Sequence, residues 1–473
     1  EIKVLEVYSY YKNDKNGEVD RGTKLRFVQN KHAVSSSHQY LPLPGFRPLS
    51  ATYDYTCMSA YCDHWVSNVV SRTGFIETLE ETLGFTTKVD FNAGVVAAGE
   101  AQIESTVTGN DSTFVTQNRD EALKDQSQVY LPINNALSEV GHVHGFLEEL
   151  GQGIQHVASR VDDLPKFVQR GNDFRRMTGE GFTFLNIPRS YYGVCSNQFL
   201  ETQVEGGLSK ECSREVMECC EKSHFMSVDG AIDLNITSEE ISQYLDEKIE
   251  ESGDTRKEFQ DKKNLIVDAI LRSRYTNLVS LLGDALAEEK YLSIVRNQIL
   301  VDVQGGDLLF QIFTSNVLQR NAGDESPFLE FIQRVCSVGP SDGSSPVAMK
   351  AGCGGFGIRN FLTLFLSIEV GKAMLEVSRA KATDDHDAMS YAQRKVDTFT
   401  NQLNDANPIL TEISDAMTEE GLALEAMKDA LERGDEIAAE AFREKKERAS
   451  VAKTASNKKL MACSSKYNEL MKE

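Results

Sequence analysis

One order of predicted elements, a strand and a helix followed by further strands, occurs twice along this chain of 473 residues. This repeat limits the possible folds more than any other feature of the sequence. Apolar runs predict the first copy as a helix at 73–83 and strands at 63–70, 86–91, 101–108 and 128–133. The second copy is predicted as a helix at 163–177 and strands at 153–161, 182–187, 299–303, 308–314 and 328–335.

The first strands of the two copies also share residues. The segment HWVSNV at 64–69 corresponds to HVASRV at 156–161, which lies 92 positions later and is identical at three of six positions. We interpret this agreement, together with the shared element order, as a weak internal duplication. The sequence therefore predicts an α+β fold built from two βαβββ modules, with equivalent strand positions facing one cleft.

Three segments lie outside the repeated modules, which occupy 57–195 and 299–370. Apolar residues at helical spacing predict a helical insertion at 196–298 and a helical C-terminal extension at 371–473. Residues 1–56 contain two strand-like runs and a proline-rich approach. We interpret them as the trailing hairpin and linker of an N-terminal domain that is missing from this chain.

The charge and composition exclude several classes of function. With 50 Lys and Arg against 72 Asp and Glu, the net charge is −22, which argues against a nucleic-acid partner. The longest apolar stretch, 360–371, contains Glu369 and is shorter than the roughly 20 residues of a membrane span. Nine irregularly spaced cysteines favour a reducing intracellular compartment, cytoplasmic or organellar. Targeting cannot be read from a sequence that starts at Glu1.

The duplicated strands carry the most informative polar residues. His64 and His156 occupy equivalent positions, so both imidazoles would point into the shared cleft. Glu330 lies in the middle of the apolar run FLEFI, where an unpaired buried carboxylate would be costly and a cation would be a suitable partner. Two imidazoles and one carboxylate form the facial triad of non-haem Fe(II) oxygenases.

Other interpretations of these residues remain open at the level of sequence. Histidines on apolar strands are often hydrogen-bonded core residues, and Glu330 could pair with Arg334 or Arg359 instead of a metal. A rival metal motif combines His142 and His144, whose alternation would place both rings on one strand face, with Glu148 as in part of a cupin signature. The cupin glycines are not at the required spacing, so this match is the poorer one.

Seven ordered segments resemble one known family, the para-hydroxyphenylpyruvate dioxygenases of the vicinal-oxygen-chelate superfamily. They are DHWV at 63–66, LPIN at 131–134, GIQH at 153–156, YY at 191–192, LLFQIFT at 308–314, FLEFIQR at 328–334 and GCGGFG at 352–357 with NF at 360–361. The opening hairpin and LPGF at 43–46 resemble the family's passage between its two domains. The resemblance is to the C-terminal, catalytic half of the family's proteins and covers a little over half of this chain. It implies paired chelate modules that form an open, barrel-like sheet.

The resemblance also implies a role for individual residues. His64, His156 and Glu330 fall on the family's iron ligands, which implies an Fe(II) cofactor. The family's polar catalytic positions correspond to Ser105, Asn134, Gln155 and Gln311. Its substrate-binding positions correspond to Val66, Pro132, His142, Phe313, Phe328, Phe356, Asn360, Phe361 and Leu364. Of these, Phe313 and Phe361 would hold an aromatic ring between them.

The activity implied by the resemblance is the conversion of 4-hydroxyphenylpyruvate and O2 to homogentisate and CO2, a step of tyrosine catabolism. The substrate would be an aromatic 2-oxo acid that chelates the metal. His142 replaces a glutamine of the family, which leaves open a relative that acts on another aromatic 2-oxo acid. The long insertion and extension suggest an alternative, a catalytically inactive structural or assembly subunit, and they favour a homo-oligomer or a subunit of a larger assembly.

Overall fold

A computed structural model describes most of the chain. The described residues are 2–8, 24–30, 61–118, 121–122, 125–249, 253–283, 286–304, 307–315, 321, 323–335, 349–350 and 355–472. The predicted linker that ends at residue 56, the LPGF segment and the glycines at 352 and 354 lie outside these ranges. At the N-terminal end, the structure describes strands β1 (Ile2–Tyr8) and β2 (Lys24–Asn30), which pair antiparallel.

The first module follows the predicted order. Its elements are β3 (Tyr61–Asn68), α1 (Arg72–Leu83), β4 (Thr86–Ala98), β5 (Ala101–Gly109), the short β6 (Val115–Thr116) and β7 (Tyr130–Ala136). Helix α1 begins where the Ser71 side chain accepts a hydrogen bond from the Gly74 N–H, and it ends at Gly84 in the left-handed conformation. These end signals are local, which explains why the helix was predictable from sequence.

The second module repeats this order with one long interruption. After α2 (His142–Leu150), its elements are β8 (Gly153–Arg160), α3 (Leu164–Thr178), the short β9 (Thr183–Phe184), β10 (Leu300–Gln304), β11 (Asp307–Ser315) and β12 (Phe328–Val335). Helix α3 begins with Asp163 accepting from the Lys166 N–H and with Pro165 in its first turn. The strand predicted at 182–187 is wrong in extent, because the strand that forms is Thr183–Phe184, which pairs with β11.

The two modules join in one open sheet whose main path is β10-β11-β12-β8-β3-β7-β5-β4. In each half the first strand pairs parallel with the last strand of its own module, and the other neighbours are antiparallel. The halves meet where β3 and β8 pair antiparallel. The expected α+β fold with an open sheet is confirmed, and the first strands of both modules lie side by side at its centre.

Helices fill the interruption between β9 and β10. They are α4 (Asn197–Gln203), α5 (Lys210–Glu221), α6 (Ser238–Lys248), α7 (Asp254–Arg272), α8 (Thr276–Leu282) and α9 (Glu288–Arg296). Helix α6 starts with a capping box in which Thr237 and Glu240 each bond the other's backbone N–H. The apolar faces of α4–α7 bury their own cluster, including Cys212, Val216 and Ile266, so this segment has a core separate from the sheet.

Three helices follow the sheet: α10 (Ile358–Ala382), α11 (His386–Glu432) and α12 (Glu436–Lys472). Helix α10 contacts both edge strands, β4 and β10, and therefore spans the opening of the sheet. It runs without a break across residue 371, where the extension was predicted to begin. Helices α11 and α12 pack antiparallel, and Gln402 of α11 donates to Ala97 O and accepts from the Gly99 N–H.

None of the helices in the described ranges is both long enough and apolar enough to cross a bilayer.

Candidate metal and substrate site

Strand register places the three predicted metal ligands together. His64 on β3 pairs with Ala158 on β8, and Ala158 pairs with Glu330 on β12. His156 precedes Ala158 by two residues and therefore shares its face of the sheet. Three adjacent strands thus present their ligands to one side, with the small Ala158 leaving space between them.

The ligand atoms converge closely. His64 Nε2 and His156 Nε2 each lie 3.2 Å from the same oxygen, Glu330 Oε2. One donor atom from each residue lies within 4.8 Å of the others, and all three residues are buried. No other group of three or more potential ligands in the described part of the chain meets this criterion. Two imidazoles and one carboxylate at such distances suit a divalent metal ion.

Each candidate ligand is held in orientation by a hydrogen bond on the side away from the other two. His64 Nδ1 lies 2.8 Å from Asp63 Oδ1, and His156 Nδ1 lies 3.0 Å from Gln155 Oε1. Because both partners are oxygen acceptors, each imidazole carries its proton on Nδ1 and turns Nε2 toward the metal position. Gln311 Nε2 donates to Glu330 Oε1 at 2.6 Å, which leaves Oε2 for the metal.

Asp63 is the centre of a buried ion network. Its Oδ2 accepts from Arg160 Nε and Arg334 Nε, and its Oδ1 accepts from Arg334 Nη2, each at 2.8 Å. Burial would raise the pKa of Asp63, but Arg334 and His64 together hold it well below the usual value. The carboxylate therefore stays charged and fixes the imidazole of His64.

The ligands influence one another's protonation. Burial would lower the pKa of His64, but the Glu330 charge and the hydrogen bonds that the imidazole donates to Asp63 and Glu330 raise it to about 9. Burial would raise the pKa of Glu330, but the two imidazoles lower it to about 2. Burial lowers the pKa of His156. Because metal binding requires a neutral imidazole, a cation entering this site displaces a proton from His64.

A cavity of about 50 Å³ lies against the ligand atoms. Besides the ligands, its lining consists of Val66, Phe91, Ser105, Val107, Pro132, Asn134, Gln311, Phe313, Phe356, Gly357, Asn360, Phe361 and Leu364. Asn134 Oδ1 is buried and has no hydrogen-bond partner among the described residues. The cavity therefore combines aromatic walls with a buried acceptor that a ligand could satisfy.

A second cavity of about 430 Å³ adjoins the first, since Phe313 and Leu364 line both. Its lining includes His142, Gln155 and Phe328. One face of helix α10 follows both cavities, because Leu364, Ile368 and Lys372 are spaced by four residues. The start of this helix is positioned by Asp302, whose Oδ2 accepts the Asn360 N–H at 3.1 Å.

Comparison with known proteins identifies similar sequences. The chain is 42% identical over 103 residues to 4-hydroxyphenylpyruvate dioxygenase of Plectranthus scutellarioides, covering 22% of each chain. It is 40% identical over 106 residues to the Daucus carota protein of the same name, covering 22% of this chain and 23% of that one. No protein-family model matches the chain.

Over about 100 residues the chain is similar to 4-hydroxyphenylpyruvate dioxygenases. The resemblance inferred from its sequence is confirmed, although the chain spans about a fifth of the length of the curated relatives it matches. Among solved structures, a variant of 4-hydroxymandelate synthase from Streptomyces coelicolor aligns with 66% of this chain and 53% of its own, at 16% identity and a TM-score of 0.33. A score this low supports no conclusion about activity.

The structure brings the predicted site residues together in two neighbouring cavities. The three ligands and ten of the other predicted residues line the inner cavity: Val66, Ser105, Pro132, Asn134, Gln311, Phe313, Phe356, Asn360, Phe361 and Leu364. His142, Gln155 and Phe328 line the adjoining cavity. Gln155 and Phe328 nevertheless contact a ligand, since Phe328 stacks on His156 with ring centroids 4.7 Å apart.

Several alternatives left open by the sequence are decided by the structure. His142 and His144 lie on helix α2, so the expectation that strand alternation aligns their rings is wrong. His142 Nδ1 instead lies 2.9 Å from Glu369 Oε1. Glu330 forms no ion pair with the two arginines proposed for it, because Arg334 binds Asp63 and Arg359 donates to Thr411 Oγ1.

Sequence reasoning predicted Gln155 and Gln311, which bond His156 and Glu330, but it missed the supporting roles of several charged residues. Arg160, Arg334 and Asp302 are charged residues within strands, and each bonds a partner far away in sequence. Tyr191 was noted only as part of a motif, but its hydroxyl donates to Asn360 Oδ1 at 3.3 Å. Of the supporting charged residues, Asp63 could have been inferred from the sequence as a partner of His64, because it precedes that histidine directly.

Proposed function

We propose that this chain is an Fe(II)-dependent dioxygenase that converts 4-hydroxyphenylpyruvate and O2 to homogentisate and CO2. The observation that carries the proposal is the approach of His64 Nε2 and His156 Nε2 to one oxygen of Glu330, buried beside an aromatic cavity. The curated relatives named 4-hydroxyphenylpyruvate dioxygenase support the same reaction.

The donor set suits iron as the resident metal. Two imidazoles and one carboxylate are typical of non-haem Fe(II) oxygenases, and the same donors also occur in catalytic zinc sites; the relatives named dioxygenase support iron over zinc. His64, His156 and Glu330 would hold the ion, which would bind the 2-oxo acid and activate O2. Asp63 and Gln155 hydrogen-bond the Nδ1 atoms of the two imidazoles and so orient both Nε2 atoms toward the position of the ion.

The inner cavity suits the aromatic part of the proposed substrate. Phe313 and Phe361 offer ring faces or edges, whose offset contacts contribute about 0.5–1.5 kcal/mol beyond the burial of area. Asn134 Oδ1 would accept a hydrogen bond from the substrate, because its own partner is absent among the described residues. The larger adjoining cavity provides room for a substrate that the inner cavity alone would not hold.

The rest of the chain excludes water from the reacting atoms. The ligands and Asn360 are all buried, and helix α10 lies across the sheet opening. Gln311 connects the helix to the metal site, since it accepts from Asn360 Nδ2 and donates to Glu330 Oε1. A substrate held under this helix would react in a dry, fixed environment.

Oxygen uptake tests the proposal. We expect the full chain, loaded with Fe(II) in the presence of ascorbate, to consume O2 with 4-hydroxyphenylpyruvate and to release homogentisate. His64→Ala should lose both bound iron and turnover. His144→Ala is the matched control, because His144 is only partly buried and lies outside both cavities.

The outcomes separate the hypotheses about function. A wild-type chain that binds one iron but consumes no O2 with this substrate would contradict the proposal. Uptake with a different aromatic 2-oxo acid, changed by His142→Gln, would keep the chemistry and correct the substrate. A chain that binds no metal and copurifies in a larger complex would favour the alternative of a structural subunit.

A further inference from the structure

Four arginines surround two neighbouring cavities outside the metal site. Arg175 and Arg176 lie at the end of α3, Arg189 lies in the turn of 3-10 helix at Arg189–Tyr191, and Arg296 is the last residue of α9. We propose that these cavities form a binding site for a small anion that carries two or more phosphate groups. Neither cavity shares a lining residue with the two cavities at the metal site.

The two cavities are built as one composite site. Their volumes are about 240 and 420 Å³, and Arg176 and Arg296 line both. Side-chain amides complete the polar lining: Gln169, Asn172 and Asn297 in the larger cavity, and Asn235 and Gln298 in the smaller. No carboxylate belongs to either lining among the residues that the structure describes. The charged residues of the two linings are therefore all arginines.

The positive charges are only partly neutralised. Arg176 pairs with Asp173, and Arg189 lies 3.8 Å from Asp233. Within the described ranges, Arg175 and Arg296 form no ion pair with a carboxylate. Helix dipoles explain one basic residue in the last turn of each helix, because cations are stabilised there. They do not explain why the ends of α3 and α9 meet around shared cavities that contain no acidic side chain.

The arginines and side-chain amides that line the two cavities favour a phosphate-bearing ligand. A guanidinium matches two phosphate oxygens at once, and neighbouring amides can donate to the remaining oxygens. Two adjacent cavities joined by shared arginines suit two linked phosphate groups better than one. The concave shape of the two cavities favours a small molecule over a flat protein surface.

Calorimetric titration of the full chain with inorganic pyrophosphate tests the inference. In about 0.1 M salt, which screens exposed charges beyond a distance of roughly 10 Å, we expect one binding site for pyrophosphate and weaker binding of orthophosphate. Arg176→Gln and Arg296→Gln should each weaken the pyrophosphate affinity by about tenfold or more, because each removes a charge-assisted contact from both cavities.

Arg170→Gln is the matched control, since Arg170 is exposed on the same helix α3 but lines neither cavity. It should leave the pyrophosphate affinity unchanged. The inference fails if the wild-type chain does not bind pyrophosphate, or if Arg170→Gln weakens binding as much as Arg296→Gln. Citrate binding as tightly as pyrophosphate would overturn the assignment to phosphate. Unchanged thermal midpoints would show that the variants remain folded.

Discussion

Replacing Asp63 by Asn tests how the metal site is held together. The substitution keeps the size of the side chain but removes its charge and one of its two acceptor oxygens. Asp63 now accepts three hydrogen bonds from Arg160 and Arg334 and lies 2.8 Å from His64 Nδ1, all in the protein interior. In the variant, an amide N–H group would face at least one of these donors, and two guanidinium groups would lose their counter-charge.

Two magnitudes follow from this geometry. Removing one partner of a buried ion pair costs about 3–5 kcal/mol, so the free energy of unfolding should fall by that amount. Loss of an outer partner of a ligating histidine typically weakens metal affinity about 10–100-fold, or about 1.4–2.8 kcal/mol. We expect Asp63→Asn to show both effects, because one carboxylate holds both Arg334 and His64.

The assay has two readouts on the same protein. Urea unfolding of metal-free protein gives the change in stability, and competition with a metal chelator gives the change in affinity. Asp162→Asn, on the surface before α3, is the control and should alter neither. The reasoning would be refuted if the free energy of unfolding fell by less than about 1 kcal/mol and the metal affinity did not change. Breaking a buried ion pair that contributes to stability costs more than this.

Three further predictions concern the helices around the site. Burial raises the pKa of Asp302 to about 6, so the folded state binds its proton more tightly than the unfolded state. The free energy of unfolding should therefore decline by about 3 kcal/mol between about pH 4 and 6, as Asp302 loses its proton. Unfolding of Asp302→Asn measured over the same pH range should not show this decline. Gly357→Ala should destabilise the start of α10, because the added Cβ would lie 1.8 Å from Asp302 Oδ2. Gly421→Ala, within α11, would place its Cβ where no atom lies within 4 Å, so thermal unfolding should show a gain in protein stability of about 0.5–1 kcal/mol. Gln402→Leu should cost about 1–3 kcal/mol in urea unfolding, because it leaves the buried Gly99 N–H and Ala97 O without their partner.

Each of these predictions has a contradicting outcome. A constant stability difference between wild type and Asp302→Asn across pH would mean that this carboxyl is not perturbed. Equal thermal midpoints for Gly357→Ala and Gly421→Ala would mean that the helix start tolerates a side chain. A wild-type unfolding free energy in Gln402→Leu would mean that α11 is not anchored on the β4–β5 turn.

Local patterns in the sequence predicted the elements of both modules. Helix α1 carries its own start and stop signals at Ser71 and Gly84, and such signals act over a few residues. Short elements with few local signals were less predictable, as β9 shows. The strand that the rival His142–His144 motif required does not form, because three residues cannot distinguish strand alternation from a helix.

The sequence by itself determined the element order and pointed to His64, His156 and Glu330, because two repeated histidines and one carboxylate in an apolar strand are local anomalies. Their assignment as ligands stays a prediction. Only the tertiary structure decided which charged groups support these three residues and the helix that covers them. Asp63 meets Arg334, and Asp302 meets Asn360, across hundreds or tens of intervening residues. Such pairings depend on strand register and helix packing, and no periodicity in the chain encodes a partner at that distance.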